Sequence, residues 1–364
     1  MSIAVDLVTG PTPPSYTLEL LRRLPPEVDH QILSSASYGA SAIGIAYRLV
    51  NHPVRVWRSR RQGAILHVDS QLLSYVLTPW IAPPRVLTVY DLVPFQRDFD
   101  DPSYVSRKSF WNSFFFKRLA HGLWEADRII AVSDYTRGEL VRVGIDASRI
   151  SIIPMGVDTQ RFHPSTAEEC ARIRAKYGIP PSRPIVLYVG TEHPRKNLDA
   201  LLRAFAQVTS SAVLVKVSVP RHPQHEILER LARSLGVASR VRSLEGVVGE
   251  DLPGLYGAAD VLVLPSLTEG FGLPPLEAMA CGTPVAVSNA GSLPDVVGNA
   301  GLLFDPRDVA SVADAIQEVL SDSALRDELR VRGQSRARQF PWEATVQGVL
   351  HVYKAAKLMT GESD

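Results

Sequence analysis

The stretch VLVLPSLTEGFGLPPLEAMACGTPVAVS, residues 261–288, places two short apolar segments on either side of a turn rich in glycine and proline. The segments VLVLP and PVAVS are typical of buried strands, and the residues between them lead through the turn into a helix. A strand, a helix and a second strand form the repeating unit of a parallel sheet covered by helices on both faces. The stretch therefore predicts an α/β fold.

The turn itself has the features of an anion site. Ligands of open α/β sheets bind at the carboxyl ends of strands, and Gly270 and Gly272 follow such an end and let the backbone approach a ligand closely. The two prolines that come next suit a first helical turn. The N–H groups of Phe271, Gly272 and Leu273 would then face an anion, aided by the helix dipole. A diphosphate would fit this turn.

Two carboxylates bracket the turn, with Glu269 before the glycines and Glu277 one turn into the helix. Carboxylates accept the hydrogen bonds that sugar hydroxyls donate. The alternative is that Glu277 complements the helix dipole and Glu269 is a solvated loop residue. The residues alone leave both interpretations open.

A basic pair, Arg195 and Lys196, follows another predicted strand, in IVLYVGTEHPRKN, residues 185–197. Gly190 and Thr191 belong to the same turn. Basic residues in loops are usually solvated, but a lysine in this position can reach an anion held by the next strand. Beside the glycine turn, Lys196 becomes the candidate that stabilises a leaving diphosphate.

The same alternation of strands and helices runs through the whole chain of 364 residues, which is too long for one average domain. Strands are predicted in the first half at 3–8, 64–68, 86–89, 128–132 and 150–153, and in the second half at 185–189, 213–217, 241–244, 261–264 and 284–287. The segment IPMGVDTQRFHP, residues 153–164, has little periodicity and predicts a linker. A final helix is expected after Pro341.

Composition excludes several classes of protein. Lys and Arg number 39 against 38 Asp and Glu, so no strong overall charge would attract nucleic acid. Cys170 and Cys281 lie far apart, which argues against a disulfide framework or structural zinc and favours a reducing compartment. No apolar run approaches the roughly 20 residues of a membrane span, and MSIAVDLVTG is not a basic leader. We expect a cytoplasmic protein.

Ordered motifs at domain-scale spacing carry a family resemblance. They are ADRIIAVSDYTRGEL (126–140), IPMGVDTQRF (153–162), VGTEHPRKN (189–197), LYGAADVLVLPSLTEGFGLPPLEAMACGTPVAVS (255–288) and FPWEATVQGVLHVY (340–353). With these motifs the chain resembles the family 4 retaining glycosyltransferases of group 1, which have the GT-B fold. The resemblance implies two Rossmann-like domains with the active site in the cleft between them.

The resemblance also implies the domain roles. Residues 1–165, with the C-terminal helix 342–364 packing back on them, would form the acceptor-side domain. Residues 166–341 would form the domain that binds the nucleotide sugar. Glu277 would contact the ribose hydroxyls and Glu269 the transferred sugar, beside the backbone of Phe271 and Gly272. Lys196, with Arg195 next to it, would hold the phosphates.

The reaction implied by the family moves a hexose from a nucleoside-diphosphate sugar to a hydroxyl of a saccharide or lipid-linked acceptor, in the synthesis of surface polysaccharide or another glycoconjugate. Configuration is retained by front-face displacement, in which the leaving phosphate helps to deprotonate the acceptor. No metal is expected, because cationic side chains and a helix terminus stabilise the diphosphate. GDP-mannose is the first donor hypothesis, and UDP-glucose and related donors stay open.

Tyr90 stands where many relatives have a histidine that contacts the donor sugar. A tyrosine, with an ordinary pKa of about 10, would position the sugar without titrating; the alternative is a packed aromatic residue at a strand end. Ser133 is predicted to cap the following helix, with a ligand contact as its second role. His67 could line the acceptor side or be a structural histidine, and His193 is expected to shape its turn.

The first loop, TGPTPPSY at residues 9–16, departs from the glycine-rich loop of relatives. Its three prolines have no N–H to donate to a diphosphate. Gly10, Thr12 and Ser15 could substitute in part. This loop and Tyr90 keep open a catalytically silent homologue that binds a nucleotide or a partner protein. An epimerase or a phosphorylase of the same fold is the enzyme alternative.

Two other stretches have a minor interpretation beside the favoured one. The triplet Asp98-Phe99-Asp100 matches a metal-binding pattern of a different fold, but its polar surroundings predict a loop. The stretches SRKSFWNSFFFKRLAHGLW (106–124) and VRVWRSRR (54–61) mix basic and aromatic residues. They support the hypothesis of a peripheral contact with the inner face of a membrane, although a core position is preferred for residues 114–116.

Overall fold

A computed structural model describes residues 3–10, 15–34, 47–93, 110–218 and 224–359, without the side chains of 15, 49 and 110–116. The chain divides into two compact units. One consists of Met1–Met155 with Trp342–Asp364, and the other of Gly156–Pro341. In the described part of the chain, no helix has both the length and the apolar character needed to cross a membrane.

Each unit contains a six-stranded sheet in which all the strands are parallel. The strand order is β2-β1-β3-β4-β5-β6 in the first unit and β12-β11-β10-β7-β8-β9 in the second. The strands are β1 Ile3–Thr9, β2 Val28–Ser34, β3 Ile65–Val68, β4 Arg85–Val89, β5 Arg128–Ala131, β6 Ile150–Ile152, β7 Ile185–Val189, β8 Val213–Ser218, β9 Val241–Glu245, β10 Val261–Leu264, β11 Val285–Ser288 and β12 Leu302–Phe304.

Helices connect the strands. The described α-helices are α1 Ser15–Arg23, α2 His52–Ser59, α3 Phe110–Glu125, α4 Asp134–Arg142, α5 Ala167–Lys176, α6 Leu198–Gln207, α7 His225–Ser234, α8 Leu252–Gly257, α9 Leu273–Ala280, α10 Leu293–Val297, α11 Val309–Ser321, α12 Ser323–Ala337 and α13 Trp342–Leu358. Strand–helix alternation of this kind, with parallel strands, is the α/β class that the sequence predicts.

Alternate residues of the first sheet point to two separate apolar clusters. Leu66 and Leu87 pack in a cluster with Leu119 of α3. Their neighbours in the strands, Ile65 and Val86, pack in a second cluster that includes Val349, Leu350 and Tyr353 of α13. Both faces are therefore buried, which explains why these strands are continuously apolar. The last helix of the chain belongs to the core of the first unit.

The segment before α5 belongs to the second unit, although the sequence boundary was drawn at residue 165. The ring of Phe162 packs edge-on against Tyr256 at 6.0 Å between centroids, and Arg161 donates a hydrogen bond to the carbonyl of Gly249 at 2.8 Å. These contacts put the boundary between Met155 and Gly156.

The ten strands expected from the sequence all exist, with bounds within one residue of those expected. The structure adds two edge strands, β2 and β12, and the helix α5. The edge strand β2 has the sequence VDHQILS and is mostly exposed, so it lacks the apolar run of a buried strand. Helix α5 follows the segment predicted as a linker, and begins with a capping box made by Thr166 and Glu169.

Candidate active site

The turn between β10 and α9 depends on Gly272, the residue that precedes the helix. Its φ of 114° lies in the region that side chains rarely adopt. A Cβ at this position would lie 2.7 Å from Cδ2 of Leu293. Both the backbone angle and the contact require glycine here.

The N–H groups of Phe271, Gly272 and Leu273 make no hydrogen bonds within the described residues. The ring of Phe271 is buried and packs edge-on against Phe340 at 5.9 Å, and its carbonyl accepts a hydrogen bond from Ser292 Oγ at 2.6 Å. The ring and the carbonyl are thus used in packing. The start of α9 retains unpaired N–H donors of the kind that bind anions.

Glu269, just before the glycines, is a buried carboxylate with three hydrogen-bond donors around it. Oε1 accepts from Lys196 Nζ at 2.5 Å and from Ser266 Oγ at 2.6 Å. Oε2 accepts from Arg195 Nη1 at 3.1 Å. The structure therefore joins the two loops that the sequence singled out through a charged cluster.

The pKa of Glu269 is lowered to about 2. Burial alone would raise it, but the charges of Lys196 and Arg195 and the hydrogen bonds from Lys196 and Ser266 outweigh the effect of burial. The side chain is therefore ionised at neutral pH. It can accept hydrogen bonds from hydroxyls, but it cannot donate a proton as a general acid.

The basic pair lies on a short 3₁₀ helix, Pro194–Lys196, that follows β7. His193 caps this helix by accepting from the N–H of Arg195 at 3.2 Å, as expected for a residue that shapes the turn. Asn197 comes next in a left-handed conformation, with φ 58°. Its Nδ2 donates to the carbonyl of Pro265 at 3.2 Å, which ties the 3₁₀ turn to the end of β10.

Glu277 lies inside α9 and is partly exposed. Oε2 accepts a hydrogen bond from the buried hydroxyl of Tyr256 at 2.7 Å. Burial raises the pKa of Glu277 to about 7, against the opposing effects of the Tyr256 hydrogen bond and the charge of Arg161. Glu277 thus titrates near neutral pH, whereas Glu269 stays ionised.

Gly190 and Thr191 follow β7 at the start of the loop that carries Lys196. The N–H of Gly190 donates to the carbonyl of Val217 at 3.0 Å. A Cβ at Gly190 would lie 2.8 Å from the hydroxyl of Tyr188, which itself donates to the carbonyl of Thr191 at 2.6 Å. Their visible role is to shape the start of the loop that carries Lys196.

Tyr90, in the first unit, belongs to a polar cluster at the carboxyl ends of β3 and β4. Its hydroxyl is 3.3 Å from Oδ1 of Asp69, and Thr17 Oγ1 donates to Oδ2 of Asp69 at 2.7 Å. Burial, with a smaller effect of the nearby Asp69 charge, raises the pKa of Tyr90 well above 10. Tyr90 is a neutral donor, as the sequence analysis expected.

Ser133 caps α4 by accepting from the N–H of Thr136 at 3.1 Å, which confirms its predicted capping role.

His67 is structural, because its Nδ1 lies 2.8 Å from the hydroxyl of Tyr353 and its Nε2 lies 2.9 Å from Thr88 Oγ1. Burial lowers the pKa of His67 to about 3.

In the first loop, the carbonyl of Gly10 accepts a hydrogen bond from the Thr9 hydroxyl at 3.1 Å. Residues 11–14 and 98–100 lie outside the described residues.

No group of three or more His, Cys, Asp or Glu side chains within the described ranges is arranged to hold a metal ion. In the second unit, Glu269 forms ion pairs with Lys196 and Arg195.

Comparison with protein families covers most of the chain. A family model described as Glycosyl transferases group 1 matches residues 170–339, and one described as Glycosyltransferase Family 4 matches residues 4–161. The chain belongs to the group 1, family 4 glycosyltransferases. The motif that carries Glu269 and Glu277 lies within the first of these matches.

The names of two curated relatives describe proteins that act on different substrates. An O-antigen chain mannosyltransferase B from Escherichia coli is 38% identical over 242 residues, which cover 65% of this chain and 63% of that protein. A D-inositol 3-phosphate glycosyltransferase from Salinispora arenicola is 38% identical over 248 residues, which cover 64% of this chain and 55% of that protein. The chain thus matches less than two thirds of the length of these relatives.

Solved structures show the same fold. Sucrose-phosphate synthase from Thermosynechococcus elongatus has a TM-score of 0.80 at 24% identity and covers 99% of this chain and 100% of its own. HepE from Anabaena, solved in complex with UDP and glucose, has a TM-score of 0.78 at 18% identity and covers 97% of this chain and 100% of its own. The GT-B fold of the family, with two parallel α/β sheets, is therefore confirmed.

Several residues that position the side chains of the candidate site were not predicted from the sequence. Ser266 and Asn197 hold the two loops, Tyr256 holds Glu277, and Asp69 accepts from Tyr90. Each of these residues lies in or beside a recognised motif or a predicted strand. Except for Ser266, these residues bond to partners 21 to 109 residues distant, so spacing along the chain gives no signal for them.

Proposed function

We propose that this protein transfers a hexose from a nucleoside-diphosphate sugar to a hydroxyl group of a saccharide or lipid-linked acceptor. The proposal rests mainly on one observation in the second unit. Two cations, Lys196 and Arg195, contact the ionised Glu269 next to the unpaired N–H groups at the start of α9. Cations and helix N-terminal donors bind phosphates, and an ionised carboxylate accepts from sugar hydroxyls.

In this proposal each group has a distinct role. The N–H groups of Phe271 and Gly272, with Lys196 and Arg195, bind the diphosphate. Glu269 accepts hydrogen bonds from the transferred sugar, and Glu277 accepts from the ribose. Because Glu269 already neutralises both cations, an incoming diphosphate must share or replace its hydrogen bonds. The acceptor is assigned to the first unit.

The transfer step retains configuration in this proposal. The bond between the anomeric carbon and the leaving phosphate oxygen breaks, and the acceptor oxygen bonds to the same face of that carbon. The proton of the acceptor hydroxyl passes to the leaving phosphate. Charge that develops on the diphosphate is stabilised by Lys196, Arg195 and the start of α9, which makes a metal ion unnecessary.

The substrates to test first are those that the names of the relatives suggest. The name of the Escherichia coli relative describes an O-antigen mannosyltransferase, which supports GDP-mannose as the first donor to test and surface polysaccharide as the product class. The Anabaena protein was solved with UDP-glucose, which keeps UDP sugars in the panel. A saccharide hydroxyl, free or lipid-linked, is the proposed acceptor.

The test is a panel of nucleoside-diphosphate sugars incubated with the protein and with saccharide or lipid-linked acceptors. We expect diphosphate release and a product heavier by one hexose for at least one donor, unchanged by a chelator. The one-bond carbon–proton coupling at the anomeric carbon should show the same anomeric configuration in the product as in the donor. Thermal stabilisation by nucleotides without turnover of any donor would instead favour the catalytically silent homologue, and an inverted product would contradict retention.

We also propose a peripheral membrane contact through the stretch 54–61. Trp57 in α2 is 54% exposed, and Arg58 next to it has no ion-pair partner among the described residues. An exposed tryptophan beside a cation suits the interface of an anionic membrane. Co-sedimentation with anionic vesicles at low salt should occur and should weaken in Trp57→Ala. If the unmodified protein stays in the supernatant, the membrane contact is wrong.

A further inference from the structure

Tyr256 is the buried partner of the carboxylate proposed to bind ribose. Its hydroxyl donates to Oε2 of Glu277 at 2.7 Å, although the two residues are 21 positions apart. The other oxygen of this carboxylate, Oε1, makes no hydrogen bond within the described part of the chain and is not shut off from solvent. One oxygen of Glu277 is therefore fixed and the other is available to a ligand.

The tyrosine is itself held firmly. It is fully buried in α8, its ring packs edge-on against Phe162 at 6.0 Å, and its carbonyl accepts from Thr283 Oγ1 at 2.6 Å. The packed ring and the hydrogen-bonded backbone restrict the position of the Tyr256 hydroxyl. A hydrogen bond from such a fixed donor orients the carboxylate before the ligand arrives.

We propose that Tyr256 is a positioning residue that holds Glu277 so that Oε1 accepts a hydrogen bond from a ribose hydroxyl of the donor. This inference rests on the proposed function, because it assumes that a nucleotide binds beside α9. It adds a residue that touches no substrate and acts only through Glu277. It also predicts that ribose recognition depends on pH.

The pH dependence follows from the groups that face Glu277. They are Tyr256 from α8, Arg161 from the segment before α5, and Cys281 from the end of α9. Burial raises the pKa of Glu277 to about 7, while the Tyr256 hydrogen bond and the Arg161 charge lower it. Burial, with a smaller effect of Glu277, raises the pKa of the Cys281 thiol, so this group stays neutral. Ribose binding by the ionised carboxylate should strengthen as pH rises through 7.

The experiment compares Tyr256→Phe with the unmodified protein by calorimetric titration of UDP and GDP and of their 2′,3′-dideoxy forms, between pH 5.5 and 8.5. Loss of the hydrogen bond raises the pKa of Glu277 further, so the affinity of Tyr256→Phe for the ribonucleotide should fall about tenfold at pH 7 and rise only at higher pH. The dideoxy forms should bind both proteins equally. Tyr177→Phe is the matched control, because Tyr177 donates a similar hydrogen bond to Asp251 at 2.6 Å in the same unit.

Other outcomes separate the inference from the proposed function. If the unmodified protein binds ribo- and dideoxynucleotides equally, or binds neither of them, the proposed role of Glu277 in ribose binding fails. The inference about Tyr256 then fails with it. If it prefers the ribonucleotide but Tyr256→Phe has the same preference and the same pH midpoint, only the inference is overturned. An equal loss for both ligand types would indicate a merely structural tyrosine. In a Glu277→Gln background, which cannot titrate, Tyr256→Phe should no longer change the pH dependence.

Discussion

Glu269 is a buried carboxylate that is neutralised by cations 73 and 74 residues away in the sequence. A buried charge is tolerated only when it is paired and hydrogen-bonded, and both oxygens of Glu269 meet this condition. The same pairing explains why Lys196, a residue that is rarely buried, can be almost fully enclosed. The charged cluster of Glu269, Lys196 and Arg195 is thus both a structural unit and the proposed diphosphate site.

Replacing Lys196 should separate diphosphate binding from nucleoside binding. In Lys196→Met, one of the two cations is lost, so we expect affinity for a nucleoside diphosphate to fall about 10- to 100-fold. Affinity for the nucleoside without phosphates should be unchanged. Both are measured by calorimetric titration. Lys176→Met is the control, since Lys176 pairs with Asp251 on the surface at 2.5 Å. Equal affinities in the two variants would contradict the assignment of Lys196.

The low pKa of Glu269 also predicts how stability depends on pH. A carboxyl with a pKa of about 2 when folded and 4.5 when unfolded contributes stability above pH 4.5 and loses it as pH falls towards 2. The unfolding free energy of the native protein, measured with urea between pH 7 and 3, should therefore decrease below pH 4.5 more steeply than that of Glu269→Gln. Parallel curves would show that the carboxylate is not held by the cations.

At the scale of elements, the turn before α9 combines a strand end, a strained glycine and a helix start. Gly272 has a φ of 114°, and the helix that follows has prolines in its first turn. The first N–H groups of a helix have no partner within it, and the glycine sets the direction in which the chain enters α9. The geometry of the proposed anion site therefore depends on one backbone conformation.

Gly272→Ala should disturb both folding and nucleotide binding. The added Cβ would meet Leu293 at 2.7 Å and force a backbone angle unsuited to alanine, at a cost of about 2–4 kcal/mol. Gly236→Ala is the control in the same unit, because its φ is 71° but its Cβ would meet nothing within 4 Å. Thermal unfolding and nucleotide titration measure both effects. A Gly272→Ala protein that behaves like Gly236→Ala would refute the role of the contact.

Several elements could be predicted from the sequence because their signal is local. The buried strands are short apolar runs, and the glycine turn, the basic pair and the Ser133 cap are readable from residue types. The edge strand β2 was missed because exposed polar residues such as Asp29 and His30 hide its pattern. Tyr256 was missed for a different reason, since its hydrogen bond to Glu277 depends on how α8 packs near α9.

At the scale of the whole molecule, the chain folds into two units, of which only one is continuous in sequence. The second unit is one continuous segment, whereas the first is completed by α13 from the far end of the chain. Leu350 and Tyr353 of this helix lie in the core of the first unit, and the hydroxyl of Tyr353 lies 2.8 Å from His67 Nδ1. The first unit thus acquires its full core only when the C-terminal helix is present.

Leu350→Ala should therefore destabilise the first unit although the residue is near the C-terminus. Loss of a buried leucine costs about 2–4 kcal/mol. Calorimetry should show a lower unfolding temperature for the first unit, while the transition that nucleotide stabilises, assigned to the second unit, stays unchanged. Leu358→Ala, at a residue that is 74% exposed, is the control and should have little effect. A lower unfolding temperature for the transition that nucleotide stabilises would contradict the assignment of Leu350 to the first unit alone.

The central claim is that a nucleoside diphosphate binds the second unit at the ends of β7 and β10. Hydrogen exchange of the full chain, with and without UDP or GDP, tests it most directly because it reports on backbone N–H groups along the sequence. The account predicts slower exchange on nucleotide binding in peptides that cover residues 190–197 and 266–280. Binding that leaves both of these segments unchanged, and protects amides elsewhere instead, would contradict it.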